Sequence, residues 1–307
     1  MSKMLVVASR GGGLVWLEEV LRRVDQVNLV SWMPGMPKDY KDTILKDPML
    51  LKIDMQNHGF RVKAPLDCLL EEIQERCPAK ALSIASHFHD ALSLSHNYLK
   101  FATRIEHKVM YLYGCPLKRM RSAIKTTIYY LGLGSVDLLP ILAAIKSDAR
   151  CGELIERTQQ QFDVRLSDLQ RALIAYFIYG NIGVFEDLYR AHSAGFRMVN
   201  FERLKSSPHM LCDVLEWASD GAVVLDEASL ANLYTGSEEL ARNTFQLSIQ
   251  ADSNQAAFMD AAYDGQAIWD AMSDWQRYFY QETIKTLSVD YVAFYKEQGI
   301  DVSFLRQ

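Results

Sequence analysis

The sequence predicts an α/β protein with a central parallel sheet, helices on both faces of that sheet, and a mainly helical C-terminal part. Three observations support this prediction. Short apolar runs alternate with amphipathic helical segments along the first two thirds of the chain. Three consecutive glycines follow the first apolar run almost at once. Of the 307 residues, 49% are hydrophobic and 23% are charged, which is the composition of a folded chain with a substantial core.

The chain opens with a strand, a glycine loop and a helix. Met4–Ala8 is a short apolar run that is typical of a buried parallel strand, and the segment Arg10-Gly11-Gly12-Gly13 follows it. The apolar residues of Leu14–Val24 have helical spacing. Val27–Trp32 predicts a second strand.

The alternation of strands and helices continues after an irregular, turn-rich stretch over residues 34–59. The next predicted elements are a helix over Pro65–Arg76, strands over Ala81–Ala85 and Lys108–Tyr113, a helix from Pro116, a helix over Arg171–His192, a strand over Arg197–Phe201 and a helix over Leu204–Ala218. Gly221–Leu225 is either a sixth strand or a turn. The last predicted helices are Gln266–Thr286 and Asp290–Gln298. We therefore expect one domain over 1–307, with an α/β core in 1–218 and a mainly helical portion in 219–307.

Composition also restricts the compartment and the partners. Five cysteines without Cys-x-x-Cys spacing indicate free thiols, and the first apolar run is too short for a secretion signal, so we expect a cytoplasmic protein. The apolar stretch 128–145 contains Asp137 and Pro140, which favours buried helix and turn over a membrane span. Residues 1–212 carry 28 Lys and Arg against 22 Asp and Glu, whereas residues 213–307 carry 5 against 16. An anionic ligand is therefore expected in the first two thirds, and no basic stripe with interleaved aromatic residues indicates a nucleic-acid partner.

The glycine run between the first strand and the first helix is the first candidate site. Glycines allow backbone N–H groups to approach an oxyanion, the helix dipole adds positive potential, and Arg10 could add two hydrogen bonds. It is neither a Walker A loop nor a dinucleotide fingerprint, because Gly-Lys-Ser/Thr occurs nowhere and Trp16 stands where the third small residue should be. A tight strand-to-helix turn that binds nothing is the alternative, and the glycines alone do not decide between them.

Two further candidates follow later strands. His87 and His89 flank Phe88 at a strand end, where a neutral imidazole could act as a general base. Spacing from the strand favours His87, and two ordinary loop histidines are the alternative. Neighbouring residues do not supply metal ligands, so we expect no metal site. After Pro116, a basic helix start with Ser122 suggests a second anion site, for which a solvated basic face is the alternative; its cations are Lys118, Arg119, Arg121 and Lys125.

Four segments, in this order, resemble the sulfotransferase family, whose donor is adenosine 3′-phosphate 5′-phosphosulfate (PAPS). The likeness covers residues 1–218. The segments are Val7–Leu17, similar to the 5′-phosphosulfate loop; Ser83–Phe88, similar to the strand end with the catalytic histidine; Val109–Pro116 with Arg119 and Ser122, similar to the 3′-phosphate strand and helix; and Arg197–Pro208, similar to the family's Tyr-Glu-Asp-Leu-Lys-x-x-Pro segment.

The resemblance implies a P-loop-like sulfotransferase architecture and the transfer of a sulfuryl group from PAPS to a hydroxyl or amine of a small-molecule or glycan acceptor. It implies His87 as the base and Arg10 as a catalytic residue. The 5′ end of the donor would lie on Arg10, Gly11, Gly12, Gly13 and Leu14, and its 3′-phosphate on Arg119 and Ser122.

This chain also departs from the family's pattern at the donor site. Gly11, Gly13 and Leu14 replace the hydroxyl residues of the 5′ loop, and Gly114 and Cys115 replace the Arg and the Asp or Asn of the 3′ segment. Losing one charge-assisted contact costs about 1.5–3 kcal/mol. Two alternatives therefore stay open: a binding protein that keeps the fold, and an enzyme with a different anionic donor.

Overall fold

The computed structural model describes residues 2–9, 13–31, 53–54, 61–62, 80–89, 108–132, 148–166, 168–235 and 257–306. By their contacts these residues divide into two compact units whose sequences interleave. The first unit takes residues within 1–113 and 190–244, and the second takes residues within 114–189 and 245–307. The expected single domain, with a boundary near residue 218, stays a prediction.

The first unit contains a five-stranded parallel sheet in the order β2-β5-β1-β6-β7. The strands of the chain are β1 Ser2–Ser9, β2 Val27–Ser31, β3 Ile53–Asp54, β4 Arg61–Val62, β5 Leu82–His89, β6 Lys108–Tyr113 and β7 Arg197–Asn200. Strand β1 lies in the middle, with β5 on one side and β6 on the other. The predicted α/β class with a central parallel sheet is therefore confirmed.

Both faces of this sheet are buried around its centre, which is why β1 and β6 contain continuous apolar runs rather than alternating patterns. On one face, Met4, Val6 and Ile84 belong to a hydrophobic core that the helices of this unit complete. Side chains on the opposite face of the sheet, such as Leu5 and Tyr111, are equally buried. The helices are α1 Leu14–Arg22, α2 Pro116–Gly132, α3 Ala149–Phe162, α4 Leu169–Ser193, α5 Phe201–Ser206, α6 Pro208–Ser219, α7 Glu227–Tyr234, α8 Gly265–Asp270, α9 Asp274–Lys285 and α10 Tyr291–Glu297.

The second unit is built on helices that pack through aromatic side chains. Phe185 of α4 lies 4.7 Å from Tyr291 and 5.3 Å from Phe294 of α10, measured between ring centroids. Tyr291 in turn accepts or donates a buried hydrogen bond of 2.8 Å with Tyr280 of α9. No helix within the described ranges is both long enough and apolar enough to cross a membrane.

Strand β5 is longer than the sequence predicts. It continues to His89, because β1 runs to Ser9 and offers a hydrogen-bonding partner along that whole length. The predicted strand end at Ala85 is therefore wrong, but His87 and His89 do lie at the C-terminal end of the strand, where they pair with Val7 and Ser9.

Two predicted helices are each split in two. Leu204–Ala218 becomes α5 and α6, because Pro208 opens a new helix and Ser207 before it is extended, with φ −130° and ψ 98°. Gln266–Thr286 becomes α8 and α9, because Ser273 and Gln276 form a capping box that starts α9.

Three other segments differ from their predictions or fall outside the structure. Gly221–Leu225 forms no strand; Asp220 and Gly221 follow α6 with φ values of +55° and +82°, so the turn is the correct alternative. Strand β3 lies within the stretch predicted as irregular and pairs with β4, which follows that stretch, in a two-residue antiparallel ladder. The predicted helix Pro65–Arg76 lies outside the described residues.

Candidate functional site

The candidate site in the first unit lies at the carboxyl ends of β1 and β5. Parallel pairing places His87 beside Val7 and His89 beside Ser9. His87 therefore lies beside Val7, which is three residues before Arg10 in the sequence. Of the predicted site residues, Arg10, Gly11 and Gly12 lie outside the described part of the chain, and His87 is described by its backbone only. The fold thus brings the two predicted strand ends together, as the sequence suggested.

Gly13 forms the N-terminus of α1 in a conformation that favours glycine. Its φ is +85° and its ψ is 10°, and its carbonyl oxygen accepts the first helical hydrogen bond from Leu17 at 3.1 Å. A glycine cap has no side-chain acceptor for the first-turn amides, and that turn carries no acidic residue. Leu14 is 1% exposed and its side chain belongs to the hydrophobic core, so this side chain is not available to an anion.

The ring of Phe201 lies directly against Gly13. A Cβ added to Gly13 would be 2.2 Å from Cε2 of Phe201, which is far inside van der Waals contact. Phe201 is in turn held by Trp16, whose ring stands edge-on at 5.7 Å, and Trp16 packs against Tyr234 at 5.4 Å. Gly13 is therefore required both by its backbone and by this aromatic neighbour.

Arg119 of the second unit occupies a buried position. Its side chain is 2% exposed, and one of its Nη atoms donates a hydrogen bond of 2.9 Å to the hydroxyl of Tyr295. Burial raises the pKa of the neighbouring Tyr280 and Tyr291 hydroxyls, which stay protonated. The guanidinium has further N–H donors, but at 2% exposure it could contact a phosphate only if its surroundings opened. Its predicted role at a 3′-phosphate stays a prediction.

Ser122 points to a different environment, although it follows Arg119 by three residues. Its hydroxyl makes a hydrogen bond of 3.0 Å with the hydroxyl of Tyr263, whose side chain is 55% exposed. The ammonium of Lys118 and the guanidinium of Arg121 each lie 5.6 Å from the centroid of the same ring. Arg121 also donates to the carbonyl oxygens of Ala261 and Ala262, at 2.5 and 3.0 Å. We call Lys118, Arg121, Ser122, Lys125 and Tyr263 the basic face of α2.

The cations of this basic face are crowded. Burial lowers the pKa of Arg121, while Tyr263 and Asp260 act in the opposite direction. The pKa of Lys125 is lowered by burial and then by the charge of Arg121, and Asp260 raises it in part. A bound anion would relieve this repulsion. The sequence identified the basic residues but not Tyr263, because nothing local connects positions about 140 residues apart.

Metal ligands are not clustered in the part of the chain that the structure describes. No group of three or more His, Cys, Asp or Glu side chains there is arranged to hold a metal ion.

No protein-family model matches the chain, and no curated protein sequence matches it. Among solved structures the chain is similar to mouse sulfotransferase SULT7A1 complexed with PAP, with 13% sequence identity and a TM-score of 0.40. The alignment covers 99% of this chain and 87% of the mouse chain. A likeness of this size assigns neither a family nor an activity to the chain.

Proposed function

We propose that the chain is a sulfotransferase-like enzyme that moves a sulfuryl group from PAPS to a hydroxyl or amine. One observation carries the proposal: β1 and β5 are neighbours, in a register that sets His87 beside Val7, just before the glycine loop that opens α1. In parallel α/β sheets, ligands bind at the carboxyl ends of the strands. The predicted base and the predicted anion loop share that edge.

In this proposal the N-terminus of α1 holds the 5′ end of the donor. Residues 11–14 supply backbone amides, the helix dipole adds positive potential, and Arg10 supplies a guanidinium. The left-handed backbone of Gly13 and the absence of an acid from the first turn of α1 are compatible with an anion there. PAPS is the substrate that supplies the sulfuryl group.

His87 acts as the general base in the proposed reaction. Its neutral imidazole accepts the proton of the acceptor hydroxyl or amine while the acceptor's oxygen or nitrogen forms a bond to sulfur. The bond that breaks joins sulfur to the oxygen that bridges to the 5′-phosphate. Arg10 and the loop amides stabilise the negative charge that develops on that oxygen. Positioning of the two substrates supplies much of the remaining acceleration.

A second candidate is an enzyme or binding protein of this fold with a different anionic ligand. The burial of Arg119 against Tyr295 favours it, together with Gly114 in place of the family's arginine. Both features reduce the contacts available to a 3′-phosphate. The basic face of α2 would then bind an anion of another shape. A cytoplasmic location and a small-molecule or glycan acceptor are part of the first proposal and remain predictions.

Calorimetric titration with adenosine 3′,5′-bisphosphate tests the proposal. We expect binding to the wild-type chain and a loss of about one to two powers of ten in affinity for Arg10→Ala, which removes a charge-assisted contact. Absence of binding at millimolar ligand would reject the sulfotransferase proposal. Binding of adenosine 5′-monophosphate with equal affinity would favour the second candidate, since the 3′-phosphate would then contribute nothing.

Sulfuryl transfer from labelled PAPS to a panel of alcohols and amines tests the role of His87. We expect His87→Ala to lose activity by a factor of 100 or more, which is within the usual contribution of a general base. His89→Ala is the matched control, because it removes an imidazole two residues along the same strand. Equal losses for the two variants would contradict the assignment of His87.

A further inference from the structure

A cavity of about 510 Å³ lies at the amino edge of the sheet in the first unit. One wall is the turn between α1 and β2, residues 23–26, and the other is formed by residues 224–233 at the start of and along α7. Because Gln26 directly precedes β2, the cavity is at the opposite end of the strands from Gly13 and His87. Its volume is within the range of small-molecule sites.

Arg23 supplies the only positive charge among the residues that line this cavity, and its guanidinium is already bonded to other groups of the chain. One Nη atom donates to the carbonyl oxygens of Leu233 and Thr235, at 3.3 and 2.7 Å, at the C-terminal end of α7. The other Nη atom lies 3.5 Å from Oε1 of Glu19. The contacts of this guanidinium within the described residues are therefore with Glu19 and with the C-terminal end of α7, not with Asp25 or Asp226.

Two of the residues that line the cavity carry a carboxylate, Asp25 and Asp226. Asp226 caps α7 by accepting a hydrogen bond of 2.7 Å from the amide of Ser229, and hydrogen bonds from Ser229 hold its pKa below the ordinary range. Its charge therefore persists at neutral pH. A further cation, the ammonium of Lys80, donates a hydrogen bond to the backbone carbonyl oxygen of Asp25.

The segment that forms the second wall, together with α6 before it, is rich in acids, although Asp220 there is already paired with Lys108. Residues 207–235 contain no lysine or arginine, and all five of their acids are exposed; these are Asp213, Glu216, Asp220, Asp226 and Glu227. Apolar side chains accompany the carboxylates. Val24, Leu225 and Leu233 line the cavity, and Val224 at its edge is 71% exposed.

We propose that this cavity binds an alkylammonium or alkylguanidinium group. The cationic head lies between the carboxylates of Asp25 and Asp226, and the amides of Gln26 and Asn232 are available as further acceptors. The alkyl chain covers the apolar surface of Val224 and Leu225. Such a group is found on a free amine or on a Lys or Arg side chain of a peptide. The proposal does not depend on the transferase activity, because the cavity is at the other edge of the sheet.

An NMR titration of the full chain with n-butylammonium at constant ionic strength tests the proposal, with n-butanol as the uncharged probe of equal length. We expect n-butylammonium to bind at least tenfold more tightly than n-butanol. Asp25→Asn and Asp226→Asn should each weaken n-butylammonium at least threefold and leave n-butanol unchanged. Asparagine caps a helix as well as aspartate does, so Asp226→Asn removes the charge and keeps α7.

Asp213→Asn is the matched control, because it removes an exposed carboxylate of α6 that does not line the cavity. An equal loss of affinity in Asp213→Asn and Asp226→Asn would overturn the proposal, since general attraction to an acidic surface would then explain the binding. Equal affinities for n-butylammonium and n-butanol would overturn it too. A capped lysine peptide run in parallel identifies the source: tighter binding than n-butylammonium supports a peptide side chain, and weaker binding supports a free amine.

Discussion

Replacement of Gly13 by alanine should destabilise the first unit more than replacement of any other described glycine with positive φ. Gly13 combines a φ of +85° with a ring atom of Phe201 at 2.2 Å from the position of an added Cβ. Alanine in the left-handed region costs about 1–2 kcal/mol. Displacing the packed ring of Phe201 adds about 1–3 kcal/mol, the usual range for overpacking. Gly13→Ala should therefore lower the free energy of unfolding by about 2–5 kcal/mol.

Two other glycines separate the backbone cost from the contact cost. Gly195 and Gly221 have φ values of +80° and +82°, and an added Cβ meets nothing within 4 Å at either position. Gly195→Ala and Gly221→Ala should each lower the free energy of unfolding by only about 1–2 kcal/mol, the cost of placing alanine in the left-handed backbone conformation. Gly152 lies in α3 with open space around it, so Gly152→Ala should stabilise the chain by about 0.5–1 kcal/mol.

Urea denaturation followed by circular dichroism measures all four variants. A double-mutant cycle with Phe201→Leu then isolates the contact, because a smaller and more flexible side chain makes room for the new methyl group. We expect the two substitutions together to cost at least about 1 kcal/mol less than their sum. If Gly13→Ala costs no more than Gly195→Ala, the Phe201 ring does not constrain the start of α1, and this reasoning is refuted.

Three further predictions concern other parts of the chain. Tyr295→Phe keeps the ring but removes the acceptor of the Arg119 hydrogen bond, and should cost about 1.5–3 kcal/mol in urea denaturation; a change below about 0.5 kcal/mol would contradict a structural role for that bond. Hydrogen bonds from the Lys108 ammonium and the Ser2 hydroxyl hold the pKa of Asp220 below its ordinary range. The resulting stability is present above the unfolded pKa of about 4 and is lost as pH falls through the folded pKa. Between about pH 6 and pH 3 the free energy of unfolding should therefore fall less in Asp220→Asn than in the wild-type chain. The same decrease in both proteins would contradict this prediction. Burial, followed by the charge of Asp148, raises the pKa of Cys151 to about 12, so mass spectrometry should find this thiol unalkylated by iodoacetamide at pH 8 until the chain unfolds.

The fold class was predictable because it depends on local patterns. The run Met4–Ala8 is apolar at every position, which is the pattern of a strand buried on both faces, and the structure places it in the middle of the sheet. Helix α1 was predictable from its apolar spacing, and the N-terminus of α2 from Pro116. Helix α3, which begins after the capping residue Asp148, was missed because its sequence is mostly polar.

The candidate site was predictable only in part. Position along the chain indicated that His87 and the glycine loop would share a sheet edge, and pairing of β5 with β1 agrees with that expectation. The resemblance implied that Arg119 and Ser122 contact the same 3′-phosphate, whereas Arg119 is buried against Tyr295 and Ser122 contacts the exposed Tyr263. Their helical spacing alone could not show which neighbour each side chain would find.

Apolar periodicity, proline and glycine positions and the order of the elements determined the α/β class, helix α1 and the start of α2, since these features act over a few residues. Tertiary structure decided the contact of Phe201 with Gly13, the bond of Arg119 to Tyr295 and the cavity between residues 23–26 and 224–233. Each of these joins positions that are more than 170 residues apart. Such pairs meet only after the whole sheet and its helices have packed, so no local pattern in the sequence encodes them.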